Sequence, residues 1–126
     1  MIAEYLCKLF EDVDNENDYL FFKLFIDGEC QFEQFYEKVT ENAKSKDAKS
    51  MDKIIAYMDM FGPILLPKEK FRNIKGLKRD DVFEFKSNDL RVYVILRKPH
   101  VYLVMGGYKK NQDKDVAVLA KKIKEF

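Results

Sequence analysis

Residues 82–112 read VFEFKSNDLRVYVILRKPHVYLVMGGYKKNQ, and their alternation decides the fold. From Val82 to Lys86, Phe83 and Phe85 share one face while Glu84 and Lys86 share the other, the two-residue period of a strand. Ser87-Asn88-Asp89 supplies turn chemistry, because short polar side chains bond nearby backbone and tolerate unusual dihedrals. Leu90 to Arg97 alternates again, with Leu90, Val92, Val94 and Leu96 opposite Arg91, Tyr93, Ile95 and Arg97. Lys98-Pro99-His100 makes the next turn and Val101 to Met105 a third strand. Gly106-Gly107 is expected to free the backbone before the basic segment Tyr108-Lys109-Lys110-Asn111-Gln112. Three consecutive antiparallel strands follow, with an apolar face for a core and an opposite face carrying Lys86, Arg91 and Arg97.

Upstream, Ala3 to Glu11 and Tyr19 to Ile26 read as two more strands, joined by the acidic loop Asp12 to Asp18. The second is almost continuously apolar, as in a central strand covered on both faces. Cys30 to Asn42 is helical, with Phe32, Phe35, Tyr36 and Val39 on one stripe. A lysine-rich connection from Ala43 to Lys49 leads to a second helix from an N-capping Ser50 to Phe61, stopped by Gly62-Pro63. Its methionines read as core filling. The two helices form a hairpin packed on the sheet. Ile64, Leu65, Leu66 and Phe71 are expected along the core edge, followed by a basic connector from Lys68 to Asp81. Downstream, a last helix from Lys114 to Phe126 carries Val116, Leu119, Ala120 and Ile123 on one face.

The 126 residues suit one α+β domain, residues 1–126, in which 1–18 is an additional strand and acidic loop. Hydrophobic content is 47% and charge 36%, the balance of a globular protein with a heavily charged surface. No apolar run approaches membrane-spanning length, and the first residues lack the basic-then-apolar order of a signal peptide. A cytoplasmic location with reduced Cys7 and Cys30 is the expectation. The net charge of +1 conceals a division: Met1 to Gly62 holds 7 Lys/Arg against 14 Asp/Glu, whereas Pro63 to Phe126 holds 16 against 8. The basic half either offers a polyanion site or is simply solvated.

Dinucleotide, P-loop and serine-elbow patterns are missing from the sequence, and it has one histidine, His100. No His, Cys or carboxylate cluster has metal-ligand spacing, so neither a metal nor a cofactor is expected. His100 reads as an exposed turn residue or as a proton-transfer group; Glu84 and Lys86 read as a solvated pair or as members of a charged groove. The cations Lys86, Arg91, Arg97, Lys109 and Lys110, with Tyr93, Tyr102, Tyr108 and Gln112, are the residue types of an RNA phosphate-backbone site. RNA cleavage on such a surface would use the substrate's own 2′-OH, with cations stabilising the phosphate charge and a lysine or tyrosine of shifted pKa moving protons.

A helix pair, the connector Phe71-Arg72-Asn73-Ile74-Lys75, then Val82-Phe83-Glu84-Phe85-Lys86, Leu90-Arg91-Val92-Tyr93, Gly107-Tyr108-Lys109-Lys110-Asn111-Gln112 and a closing helix with Ala120 follow in one order. That order, from about Tyr19 onward, resembles the RelE/HigB-like toxins of bacterial toxin–antitoxin systems and their phage-derived relatives. The resemblance implies a curved antiparallel sheet, a helical hairpin on one face and a basic groove on the other. It also implies an mRNA-cleaving endoribonuclease, often ribosome-dependent, neutralised by a small antitoxin. By that resemblance Arg91, Lys86 and Lys109 stabilise charge, Lys110 and Gln112 position RNA, and Glu84 matches the strand glutamate. Arg97, Lys75, Arg79 and Tyr108 complete the expected RNA surface, with Glu84, Tyr93 and His100 as candidates for proton transfer. Lys86 stands where the family carries arginine, and no family-type His or Tyr follows the last helix. A second reading is a protein of the same fold that acts through protein contacts, for example on a target such as gyrase.

Overall fold

The computed structural model describes residues 2–64 and 66–126, so Leu65 lies outside the described residues. Six strands form one sheet: β1 (Tyr5–Leu9), β2 (Leu20–Ile26), β3 (Phe71–Asn73), β4 (Val82–Ser87), β5 (Leu90–Arg97) and β6 (His100–Tyr108). Their spatial order is β1-β2-β6-β5-β4-β3. The sheet is mixed rather than antiparallel throughout, because β2 pairs with β6 in parallel while the other pairs are antiparallel. The physical reason is the helical hairpin, which carries the chain away from β2 and allows β6 to return beside it in the same direction.

Helix α1 (Gln31–Thr40) buries Phe32, Phe35 and Val39, and its first turn is capped by the Cys30 thiol, which accepts from Glu33 N–H. Helix α2 (Lys46–Met60) starts earlier than Ser50. Ser45 is the cap, its hydroxyl accepting from Ala48 N–H at 3.0 Å, and Asp47 adds a favourable carboxylate to the first turn. Ser50 is buried inside the helix, where its hydroxyl accepts from Asn88 Nδ2 at 2.8 Å and ties α2 to the β4–β5 turn. Asn88 adopts φ +51 there, a conformation that asparagine tolerates better than most residues.

The acidic loop after β1 closes the far end of α2. Asn15 Nδ2 donates to the carbonyls of Met58 and Phe61 at 2.8 and 2.7 Å, while Asn15 Oδ1 accepts from the N–H groups of Asn17 and Tyr19. A helix C-terminus leaves such carbonyls unpaired, and this asparagine satisfies them. Ile64, expected along the core edge, is 89% exposed, whereas Phe71 is buried.

Both sheet faces are covered. Phe21, Phe85, Val92, Val94 and Leu103 pack under α1 and α2. On the other face Leu24, Val82, Tyr93, Ile95 and Val104 pack with Leu119 and Ile123 of the last helix, α3 (Gln112–Lys122), and the turn that follows it. The face expected to present a row of cations is therefore partly closed by α3. Gly106 and Gly107 do not loosen the chain; both lie within β6. A Cβ on Gly106 would stand 2.2 Å from the Phe35 ring, and one on Gly107 would stand 2.1 Å from an Asp115 carboxylate oxygen. Gly106 also exchanges two hydrogen bonds with the Gln31 amide, at 2.7 and 2.8 Å, which replaces the strand partner that β2 no longer supplies.

Candidate nucleic-acid interface

The polar part of the second face is a corner formed by β3, β4 and the start of α3. Register creates it: Arg72 of β3 stands opposite Glu84 of β4, and Lys86 stands opposite Arg91 of β5. Glu84 is the hub. Arg72 Nε donates to Oε2 at 2.8 Å, Gln112 Nε2 reaches both oxygens at 3.0 and 3.1 Å, and Arg91 Nε lies 3.4 Å from Oε1. The Glu84 side chain is 1% exposed, so this carboxylate is compensated by groups fixed around it.

The cations differ sharply in freedom. Arg91 is buried, and its Nη1 donates to the carbonyls of Asn88 and Leu90 at 2.9 and 2.8 Å. Arg72 is open to solvent, with a side chain 47% exposed. Lys86 is half-buried and, together with Lys68, Arg72, Lys75, Asn73 and the carboxylate Glu69, lines a cleft of about 350 Å³. Burial and then the neighbouring Arg72 and Arg91 charges hold the Lys86 ammonium below its ordinary pKa, with Glu84 and Glu69 opposing. A second cleft of about 420 Å³ adjoins it, sharing Arg72, Asn73 and Lys75 and adding Glu84, Gln112 and Asp113.

The other residues expected at the site distribute as follows. Lys109 and Lys110 are exposed in a short 3-10 turn after β6, where Lys109 N–H bonds Asp89 O at 2.7 Å, at the Arg91 end of the sheet. Lys75 is exposed on both clefts. Arg97 shares a strand face with Arg91 but sits six residues along β5, about 20 Å away at strand rise. There it pairs with Asp81 at 3.6 Å and lies over the Phe126 ring. Arg79 makes two 2.9 Å bonds to Asp81 and caps α3 through Ile123 O at 2.8 Å. His100 faces Arg97 across the β5–β6 turn, with its Nδ1 3.2 Å from Tyr102 Oη. Tyr108 turns to the helical-hairpin face, donating to Asp47 at 3.0 Å and packing on Phe35. Tyr93 is wholly buried beneath α3, and its hydroxyl lacks a hydrogen-bond partner among the described residues. Burial and the nearby Asp115 and Glu84 charges push its phenol pKa well up.

The structure thus gathers Lys86, Arg91, Glu84, Gln112 and Lys75, sets Lys109 and Lys110 near the same end, and leaves Arg97, Arg79, His100 and Tyr108 elsewhere. Arg72 and Lys68 are cleft cations that strand reading missed. Three residues of β3 are too few to show a period, and only the Arg72–Glu84 register reveals the placement. Among the described residues, no cluster of three or more His, Cys, Asp or Glu side chains could hold a metal ion, and no helix is long and apolar enough to cross a membrane. Comparisons with protein-family models, with curated proteins and with solved structures gave no match.

Proposed function

We propose that the chain binds RNA through the Lys68–Arg72–Lys75–Lys86 cleft and cleaves it without a metal, in the manner the RelE/HigB-like resemblance implies. The observation that carries this reading is Lys86: a half-buried ammonium of lowered pKa beside Arg72, in an open cationic cleft. A phosphate seated there meets four cationic side chains against one lining carboxylate, Glu69. Arg72 and Lys75 would stabilise the charge that builds when the 2′-OH attacks, and Lys86 would exchange a proton with the reacting oxygens. Arg91 would act indirectly, by holding Glu84 and raising the local positive potential. Lys109 and Lys110 would take the flanking backbone, and Gln112 would fix the Glu84 carboxylate. The same reading carries a cytoplasmic mRNA substrate, with or without the ribosome, and a small antitoxin as protein partner.

The test is incubation of the purified chain with end-labelled RNA in EDTA, followed by analysis of fragment ends. The expected products are a 2′,3′-cyclic phosphate and a 5′-hydroxyl, and Lys86→Met should slow their formation by about 10²–10⁴-fold, the usual contribution of a positioned proton-transfer group. RNA left whole, both free and on translating ribosomes, refutes cleavage. A second reading draws on the exposed Leu6, Leu9 and Leu20 around β1 and the start of β2, which suit action through protein contacts. Toxicity on expression that survives Lys86→Met and Arg72→Ala with RNA intact favours it.

A further inference from the structure

The second cleft differs in chemistry from its cationic neighbour, and the difference follows from how the side-chain amides are spent. Asn73 Nδ2 donates to the carbonyls of Val82 and Asp80 at 2.8 and 3.4 Å, which leaves Oδ1 as its free polar atom. Gln112 Nε2 is committed to both oxygens of Glu84, which leaves Oε1 free in the same way. Asp113 lines the same cleft and is exposed, adding a carboxylate. Ile74 and Val116 supply apolar walls. A cleft of about 420 Å³ with apolar walls, three residues that offer acceptors and the two cations Arg72 and Lys75 suits a flat group rich in N–H donors that carries a phosphate. Arg72 and Lys75 line this cleft and the cationic one alike.

We infer that this cleft is a nucleobase pocket selective for guanine, holding the base next to the phosphate bound at Arg72, Lys75 and Lys86. Guanine alone among the four RNA bases presents two adjacent donors, N1–H and N2–H, on its pairing edge. A carboxylate accepts both, and amide oxygens accept the remaining exocyclic hydrogen. Adenine and cytosine set an acceptor beside their single amino group, and uracil flanks its one N–H with two carbonyls; each of these turns a lone pair toward Asp113, Gln112 or Asn73. The buried Glu84 contributes by holding the Gln112 donor, so that the amide oxygen is what remains for the base. The inference rests on the proposed RNA-binding reading and assigns it a sequence preference.

The experiment titrates the full chain with the 3′-monophosphates of guanosine, adenosine, cytidine and uridine, and with tripolyphosphate, following backbone amide shifts and heat of binding. Guanosine monophosphate should bind about tenfold more tightly than the other three, the discrimination of one good bidentate contact, with shifts at Asn73, Gln112 and Asp113. Asp113→Asn, an exposed near-isosteric change, should abolish the preference without weakening tripolyphosphate binding. Equal binding of all four nucleotides, with tripolyphosphate still bound at Arg72 and Lys86, overturns the guanine pocket and leaves the anion cleft standing. Failure of every nucleotide, of tripolyphosphate and of RNA to bind overturns both.

Discussion

Replacing Glu84 with glutamine removes the charge that holds the polar corner together, and its cost can be worked from burial. Glu84 and Arg91 side chains are 1% and 8% exposed. Taking away one partner of a buried pair costs about 3–5 kcal/mol, because the other charge stays uncompensated. Arg91 keeps its two carbonyl contacts through Nη1, and its 3.4 Å approach to Glu84 lacks hydrogen-bond geometry, so about 3 kcal/mol is the better figure. The Arg72 contact adds little, since that arginine is 47% exposed and water screens it to at most about 1 kcal/mol. Urea unfolding followed by circular dichroism measures the loss. With a slope of about 1–3 kcal/mol per molar urea, the midpoint falls by about 1–3 M. Arg91→Met alone should also destabilise, but the double variant E84Q/R91M buries neither charge and should recover much of the loss, giving a coupling of about 2 kcal/mol. Single losses that add to the double within about 0.5 kcal/mol would show that the two residues do not hold each other. The account of Arg91 as the buried counter-charge of Glu84 then fails.

Gly106→Ala sets a methyl 2.2 Å from the Phe35 ring, and overpacking of this kind should cost about 1–3 kcal/mol in the same urea assay; an unchanged midpoint contradicts the fit of α1 on β6. Asn15→Ala removes the shortest bond to each of the Met58 and Phe61 carbonyls, which keep longer ones from Phe61 N–H and Asn17 Nδ2, and takes the acceptor from Tyr19 N–H; it should cost about 2 kcal/mol, with faster amide exchange in the last turn of α2 as its local signature. Lys86 titrates in the folded chain below the ordinary 10.5, so between those two values the unfolded chain holds the extra proton and stability must rise with pH. The difference between wild type and Lys86→Met, measured by urea unfolding across that window, should grow in favour of wild type as pH rises; a flat difference contradicts the shift.

Alternation in residues 82–105 was enough to place β4, β5 and β6 and to assign Phe85, Val92 and Val94 to a core, because a strand period of two fixes the face of every side chain. It could not fix distance along the strand. Arg91 and Arg97 share a face yet stand at opposite ends of β5, one beside Glu84 and the other beside Asp81. Nor could local pattern announce that α3 folds back over Tyr93 and Ile95, since that packing joins residues far apart in the chain. Gly106-Gly107 read as a loosened segment because glycine frees a backbone in isolation; here the missing side chains admit Phe35 and Asp115. Ser45 and Ser50 both satisfy the rule for a helix cap; Ser45 caps α2, and Ser50 lies inside it, where its hydroxyl accepts from Asn88, a contact 38 residues away that local pattern does not show.

The division of labour between the two kinds of cation sharpens where a polyanion could bind. The chain has four arginines, and each of them, Arg72, Arg79, Arg91 and Arg97, meets a carboxylate. A planar guanidinium suits such fixed, multiply bonded pairing, whereas an ammonium on a flexible stem stays hydrated and mobile. Three of the four arginines also bond backbone carbonyls, so their charge is spent on holding turns and the end of α3 in place. The surplus in the basic half therefore overstates what a ligand would feel near Asp81 and understates the contrast at the β3–β4 corner. There Lys68, Lys75 and Lys86 line a cleft with Glu69 and with Arg72, whose side chain is 47% exposed. A phosphate approaching that cleft meets four lining cations, Lys68, Arg72, Lys75 and Lys86, against one lining carboxylate, Glu69, beside a buried glutamate that fixes Arg72.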